Sequence, residues 1–320
     1  LVGKSSADFL GEGDKFLSIG RLYNYFTSAM DLRPNSDEGK VEALAAYGTA
    51  DESLYQSLMR ATSIDKSHLS INYDVEKIMH FYDISWLKKQ REIVGDENFC
   101  ASIQKYLEDI IVEYLNLAFK KYPTKNLCLS GGVAANIIMS LSIYEKTNFK
   151  NIYVYPAMGD DGLALGSALL TAHSKNEDIS WLKAFQMPYF GDSYSQSQVK
   201  DVLDQFDNIV YEDLGDNWPK EAAKSVSKGK ICALFHGSME FGPRALGNRS
   251  IVANPMIEDT RQKINSTIKR RPAYQPFCPS ILEEERERLF HDSFPHKHMA
   301  IAFRMKEEFI KYLPCAAHID

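Results

Sequence analysis

The stretch Asn126-Leu127-Cys128-Leu129-Ser130-Gly131-Gly132-Val133 decides the fold of this chain. Its apolar first half predicts a β-strand over 126–129, and the glycine pair predicts a turn into a helix over 133–144. A second strand over 152–155 and a helix over 163–173 repeat the order. The sequence Gly-Asp-Asp-Gly lies between them, at 159–162. Because a helix over 97–121 precedes the first strand, the order predicts an α/β domain.

Apolar spacing elsewhere along the chain predicts further elements. They are helices over 22–26, 41–47, 195–206, 219–228 and 264–268, and strands over 230–235 and 299–305. Residues 184–198 are poor in aliphatic side chains and rich in serine, tyrosine, glutamine and glycine, which is typical of a connecting segment. We therefore expect two domains, 1–187 and 188–320.

The composition is that of a globular protein, with 44% hydrophobic and 25% charged residues among 320. The net charge of −6 and the pI near 5.8 argue against a general nucleic-acid binder, because such proteins are usually basic. No stretch approaches the ~18 uncharged apolar residues of a membrane helix, so no membrane partner is expected. None of the five cysteines forms a C-x-x-C pair, and we expect reduced thiols in a cytoplasmic protein.

The most informative functional pattern is Met-Glu-Phe-Gly-Pro-Arg-Ala-Leu-Gly-Asn-Arg-Ser at residues 239–250, which we call the arginine loop. Glycines let backbone N–H groups approach a ligand, and the forked guanidinium groups of Arg244 and Arg249 suit phosphate or carboxylate. Asn248 and Ser250 add polar groups beside them. The pattern predicts an anion-binding site, and a purely structural loop is the alternative.

Two turns of the predicted α/β unit are further candidates. The turn at 130–132 could place phosphate oxygens at a helix N-terminus, but a tight turn with positive φ would need the same glycines. In the turn at 159–162, one aspartate could hold a divalent metal or position a ligand, or it could simply cap the following helix.

Two charged segments can be interpreted either as parts of a binding site or as ordinary structural features. Residues 37–40 (Asp-Glu-Gly-Lys) open the helix over 41–47. Lys40 in the first turn is unfavourable for the helix dipole, so a negative group is expected near it. Residues 269–271 (Lys-Arg-Arg) precede a proline-rich loop, so at least one of these side chains is expected to face inward. The plain alternatives are a charged helix start and a solvated basic run.

Together these segments resemble the NodU/CmcH family of O-carbamoyltransferases, and the resemblance covers nearly the whole chain. Four matches occur in order: 37–40 with 44–48, then 129–136, 156–166 and 239–251. The arginine loop is the most specific of them, whereas a glycine pair alone would be a weak signal.

The resemblance implies an enzyme of two parts, an actin/sugar-kinase/Hsp70-like ATPase domain followed by a YrdC-like α/β domain. The YrdC-like domain would make carbamoyl adenylate from carbamoyl phosphate and ATP. The first domain would transfer the carbamoyl group to a hydroxyl of a small acceptor such as a sugar, an antibiotic or another secondary metabolite. A divalent metal, typically iron, would sit in the transfer site. The acceptor and the oligomeric state do not follow from the sequence.

The resemblance also implies roles for individual residues. Asp160 matches the family's metal-binding aspartate, and Glu38 and Lys40 match a segment near the transfer site. The groups that would handle carbamoyl phosphate and ATP are Arg244, Arg249, Lys269 and Arg271. The groups that would bind the nucleotide are Ser130, Gly131, Gly132, Asn136, Gly159, Asp161, Asn248 and Ser250.

The chain departs from the family pattern at several places. The family's H-x-x-H metal ligands precede the segment that matches 37–40, whereas the first histidine here is His68. We therefore expect an internal fragment whose remaining metal ligands lie outside it. Ser238, Pro272 and Gln275 also replace residues that are usual in the family.

Two other functions compete with the first. A threonylcarbamoyl-type transferase acting on tRNA would need a basic surface, which the acidic pI disfavours. A non-catalytic nucleotide-binding relative would bind ATP without releasing pyrophosphate. The chain carries acidic groups at 159–162 and basic groups in the arginine loop. Because both sets are present, we favour catalysis over nucleotide binding alone.

Overall fold

The computed structural model describes residues 17–184 and 187–318. The two chain ends and part of the predicted boundary near 187 lie outside these ranges. The described residues form two compact units, the first made of 17–127 and 142–151, the second of 128–141, 152–184 and 187–318. This division reflects which backbone segments contact each other and does not test domain boundaries. The predicted domains 1–187 and 188–320 therefore stay a prediction.

The first unit is mainly helical and contains one antiparallel strand pair. Its elements are α1 (Ile19–Ala29), α2 (Glu38–Ala45), α3 (Glu52–Arg60), β1 (Thr62–Asp65), β2 (Ser70–Tyr73), α4 (Val75–Ile78), α5 (Ile84–Val94) and α6 (Asp96–Lys121). In the strand pair, Thr62 lies opposite Tyr73.

Helix α6 forms the core of this unit, because α2, α3 and α5 all pack on it. Phe99, Ile103, Leu107 and Ile110 recur at three- and four-residue spacing along α6, and each is at most 2% exposed. The ring of Phe26 in α1 stacks on Phe99, with centroids 4.7 Å apart. Each such buried side chain contributes about 1.5–3 kcal/mol relative to exposure. The helix predicted over 97–121 is confirmed.

Three elements continue across the division between the units: β3 (Asn126–Leu129), α7 (Ile137–Lys146) and β4 (Asn151–Val154). Strands β3 and β4 pair with each other. The second unit adds α8 (Leu163–Ser174), α9 (Gln196–Leu203), α10 (Trp218–Ser227), β5 (Cys232–Phe235), β6 (Arg249–Val252), α11 (Thr260–Lys263), α12 (Arg286–Leu289) and α13 (Glu307–Ile310). Strands β5 and β6 are antiparallel, with Phe235 opposite Arg249. The mixed α/β class is confirmed.

Helix α7 and the strand predicted over 299–305 are among the predicted elements that differ from the observed ones. Helix α7 begins at Ile137 rather than near 133, because Gly132–Ala135 forms a 3₁₀ turn and the Asn136 side chain then accepts the N–H of Met139 at 2.8 Å. The strand predicted over 299–305 was wrong, since within it only Met305 pairs, in an isolated bridge to Phe290. Among the described residues, no helix combines the length and apolar character needed to cross a bilayer.

Candidate functional site

Three predicted segments meet within the second unit: the glycine turn at 130–132, the acidic turn at 159–162 and the arginine loop. The Gly131 N–H donates to the carbonyl of Met158 at 2.6 Å, which ties the two turns together. The backbone of Gly242 lies close to Pro156, which precedes the acidic turn. A Cβ added to Gly242 would lie 2.6 Å from the Pro156 carbonyl oxygen. Arg244 Nη2 donates to the carbonyl of Ala135 at 3.1 Å.

The glycine turn has a tight backbone conformation and open space beside its glycines. Gly131 has φ of +98°, which is the conformation that the structural interpretation required. No atom lies within 4 Å of a Cβ built on Gly131 or Gly132, and Ser130 is exposed beside them. The turn therefore leaves room for a ligand above its backbone.

The acidic turn carries two exposed carboxylates. Asp160 and Asp161 lie in a 3₁₀ turn that runs into α8, and neither side chain caps that turn or the helix. The capping interpretation was therefore wrong. Across residues 17–184 and 187–318, no three His, Cys, Asp or Glu side chains come together as a metal site. Asp160 could supply one ligand, but the described residues do not fit a complete metal centre.

The arginine loop is organised around Glu240, a residue that sequence reasoning missed. Glu240 is 8% exposed, and its Oε1 accepts the backbone N–H groups of Leu246 at 2.8 Å, Asn248 at 2.7 Å and Arg249 at 3.1 Å. Burial raises the pKa of Glu240, but these N–H groups together outweigh it, so the pKa lies below its ordinary value. A glutamate inside a loop gives no sequence signal of such contacts.

Asn248 and Ser250 use their side chains to shape the same loop. Asn248 Nδ2 donates to the Ser238 carbonyl at 2.6 Å, and Ser250 Oγ accepts the Gly247 N–H at 2.8 Å. Their predicted role in nucleotide binding stays a prediction.

The two arginines of the loop have different surroundings. The guanidinium of Arg249 lies 3.7 Å from the centroid of the Phe235 ring. Its N–H groups donate to backbone carbonyls, those of His236, Gly237, Asn248 and Asp192. Arg244 makes one such bond, and its buried Nε has no partner among the described residues. Arg244 thus keeps donors for an anion, whereas Arg249 uses its own within the loop.

Arg271 is the inward-facing side chain of the basic run. Its Nε donates to Asn265 Oδ1 at 2.7 Å, and its guanidinium lies 4.5 Å from the centroid of the Phe277 ring. Burial lowers the pKa of Arg271. Lys269 is exposed at the end of a π-helical turn over Ile264–Lys269. The positive charge of Arg244 also acts on the following loop, because it opposes the burial that raises the pKa of Cys278.

Glu38 and Lys40 lie in the first unit. Lys40 Nζ pairs with Asp37 Oδ1 at 2.9 Å, which supplies the negative group expected near it. This hydrogen bond is the main reason that the pKa of Asp37 is lowered. The Glu38 carboxylate accepts the backbone N–H of Asn35. The role of Glu38 and Lys40 near a transfer site stays a prediction.

Residues 188–192, which the sequence suggested only as the start of a domain, form the backing of the arginine loop. The Pro188 carbonyl accepts the N–H of Phe241 at 2.7 Å, and the Tyr189 hydroxyl donates to the Leu246 carbonyl at 2.8 Å. Because these partners are about 50 positions apart along the chain, local patterns could not reveal them.

Two carbamoyltransferase family models and several curated relatives match the chain. Residues 4–169 match the model of the carbamoyltransferase N-terminus, and residues 223–320 match that of the carbamoyltransferase C-terminus. The uncharacterized protein MJ1058 of Methanocaldococcus jannaschii is 52% identical over 100% of this chain and 54% of its own length. Nodulation protein NolNO of Sinorhizobium fredii is 31% identical over 70% of this chain and 33% of its own length.

A relative with a named activity is the 3'-hydroxymethylcephem-O-carbamoyltransferase of Streptomyces clavuligerus. It is 24% identical over 89% of this chain and 51% of its own length. The chain thus spans about half the length of several curated relatives that it matches. The matches to both family models, together with relatives such as nodulation protein NolNO and the cephem O-carbamoyltransferase, show that the chain belongs to the NodU/CmcH family of carbamoyltransferases.

Proposed function

We propose that the full-length protein is an O-carbamoyltransferase that uses carbamoyl phosphate and ATP. The observation that carries the proposal is the meeting of the open glycine turn, the acidic turn and Arg244 within one compact unit. Two polyanions must be brought together for this chemistry, and a guanidinium with unused donors beside an open turn suits that task. Carbamoyl transfer by the named Streptomyces clavuligerus relative supports the same reaction class.

In the proposed first step, carbamoyl phosphate, ATP and water give carbamoyl adenylate, inorganic phosphate and pyrophosphate. Arg244 would bind phosphoryl oxygens, and the open face over Gly131 would accept the nucleotide phosphates. In the second step, the acceptor hydroxyl oxygen bonds to the carbamoyl carbon, its proton is lost, and AMP leaves. AMP is a good leaving group, so no protein nucleophile is needed.

The remaining features of the proposal follow the family resemblance. An ATPase-like fold would cover 1–187 and a YrdC-like fold 188–320, and Arg244 would then contact Ala135 from the other domain. Asp160 would contribute one carboxylate to an iron site completed elsewhere in the full-length protein, and no step above depends on that metal. The acceptor would be a small hydroxyl compound in the cytoplasm, with no nucleic acid or membrane partner.

The test is release of pyrophosphate from ATP by the full-length protein, with and without carbamoyl phosphate. Release should require carbamoyl phosphate, and Arg244→Ala should reduce it about 10²–10³-fold, as expected when a charged donor at a reacting group is removed. Arg288→Ala is the matched control, because that exposed arginine pairs with Glu285 away from the loop.

Other outcomes would replace the proposal. Pyrophosphate release that ignores carbamoyl phosphate would indicate a different acyl donor. ATP binding without any release would indicate the non-catalytic nucleotide-binding relative.

A further inference from the structure

Glu240 puts its own carboxylate on backbone N–H groups of the arginine loop that an anionic ligand could otherwise use. Its carboxylate is buried and receives three backbone N–H groups of the loop. A buried carboxylate is costly unless it is well hydrogen-bonded, and charge-assisted bonds of this type compensate for lost hydration. The N–H groups of Leu246, Asn248 and Arg249 are therefore already used, and a ligand would have to find other donors.

The same three bonds close the loop on itself. They join residue 240 to residues 246–249, so the intervening segment 241–245 becomes a short closed tip that carries Arg244. The tip is held at two further points. Gly242, with φ of +112°, packs its backbone against Pro156, and Arg244 donates to Ala135.

We propose that Glu240 is a positioning residue that acts through Arg244. By closing the base of the loop, it fixes where the guanidinium stands and leaves anion recognition to that side chain rather than to the backbone. The positioning of Arg244 by Glu240 rests on these contacts alone. The identity of the anion, a phosphoryl group of carbamoyl phosphate, rests on the proposed function.

The direct test is amide hydrogen exchange over 241–249 in the full-length protein, compared with Glu240→Gln. Glutamine keeps the shape and one acceptor oxygen but removes the charge. Exchange over this segment should become roughly tenfold faster or more, since charge-assisted bonds to three amides are weakened. Glu221→Gln is the matched control, because that half-buried glutamate pairs with Lys224 within α10. Unchanged protection in Glu240→Gln would overturn the proposal, whatever the enzyme's activity.

A double-mutant cycle tests whether Glu240 acts through Arg244. Glu240→Gln should raise KM for carbamoyl phosphate in pyrophosphate release by roughly 10- to 100-fold, the equivalent of one lost charged hydrogen bond. It should have little further effect when Arg244 is already alanine. A purely structural role would instead lower kcat with the folded fraction and leave KM unchanged. Additive effects on KM would overturn the coupling to Arg244.

Failure of the proposed function would look different. Wild-type protein without carbamoyl-phosphate-dependent release would refute the carbamoyltransferase chemistry, while hydrogen exchange would still decide whether Glu240 holds the loop tip.

Discussion

Arginine side chains with the same chemistry have different uses here, and their neighbours decide which. Arg249 gives its N–H groups to backbone carbonyls and lies against Phe235, and Arg271 is held by Asn265 and Phe277. Within the part of the chain that the structure describes, Arg244 makes one side-chain hydrogen bond and retains donor capacity. A rigid guanidinium fork can brace a loop as well as it can bind a phosphate. Residue type predicted anion binding for Arg244 and Arg249, and the family resemblance added Arg271; among the three, Arg244 keeps the most unused donors.

His296 makes stability depend on pH. Its Nε2 accepts the Ala300 N–H at 3.1 Å, and burial, reinforced by His298, lowers the pKa of His296 to about 4. In an unfolded chain the pKa is about 6.5, so the unfolded state takes up the proton first as pH falls. The stabilisation is complete above about pH 6.5 and is lost progressively toward pH 4.

The measurement for His296 is the melting temperature as a function of pH in the full-length protein. The wild type should lose stability over that range more steeply than His296→Gln, whose amide oxygen can still accept the Ala300 N–H. His173→Gln, at an exposed site on α8, is the control. Parallel curves for wild type and His296→Gln would contradict the assignment.

At the scale of elements, one side chain joins three helices of the first unit. Arg91 in α5 donates to the Ala29 carbonyl at the end of α1 at 3.0 Å. It also pairs with Asp31 at 2.8 Å, and with Asp96 at the start of α6 at 2.8 Å. Its planar fork allows contacts in several directions at once, which a lysine could not reproduce.

Replacing Arg91 should loosen the contact between these helices. We expect Arg91→Ala to lower the free energy of unfolding by about 1 kcal/mol, because the lost bonds are partly screened by solvent. Arg60→Ala is the control, since the exposed Arg60 side chain donates to Ser57 Oγ on its own helix. Denaturant unfolding of the full-length protein measures the difference, and equal midpoints for the two variants would refute the role of Arg91.

Prediction from sequence succeeded where a segment's own pattern determines its structure. The strand over 126–129 was predicted with its observed bounds, and α6 to within one residue, since both have a regular apolar period. The strand over 299–305 failed because an extended apolar segment needs a neighbour to pair with, and the sequence names none. The family resemblance implied roles for the site segments but not that they meet, and Glu240 and the backing at 188–192 likewise depend on contacts between distant positions.

For the molecule as a whole, charge separates the two transferase hypotheses. The chain has a formal net charge of −6, so the phosphate backbone of tRNA would be repelled rather than attracted on average. The net charge therefore favours the small-molecule hypothesis over the tRNA hypothesis, whichever small molecule is the acceptor.

We therefore expect tRNA to leave pyrophosphate release by the full-length protein unchanged, and to show no salt-dependent binding in a mobility-shift titration. An unrelated structured RNA is the control for non-specific binding. Tight tRNA-selective binding that weakens steeply with salt would favour the threonylcarbamoyl-type function.

The close approach of Gly242 to Pro156 also limits which amino-acid substitutions this position can accept during evolution. Every amino-acid replacement that a codon change can bring to Gly242 adds a Cβ, which would lie 2.6 Å from the Pro156 carbonyl oxygen in a backbone already at φ of +112°. No single inherited change there is free of cost, whatever side chain it brings. This contact between the two chain segments would therefore have to be inherited intact.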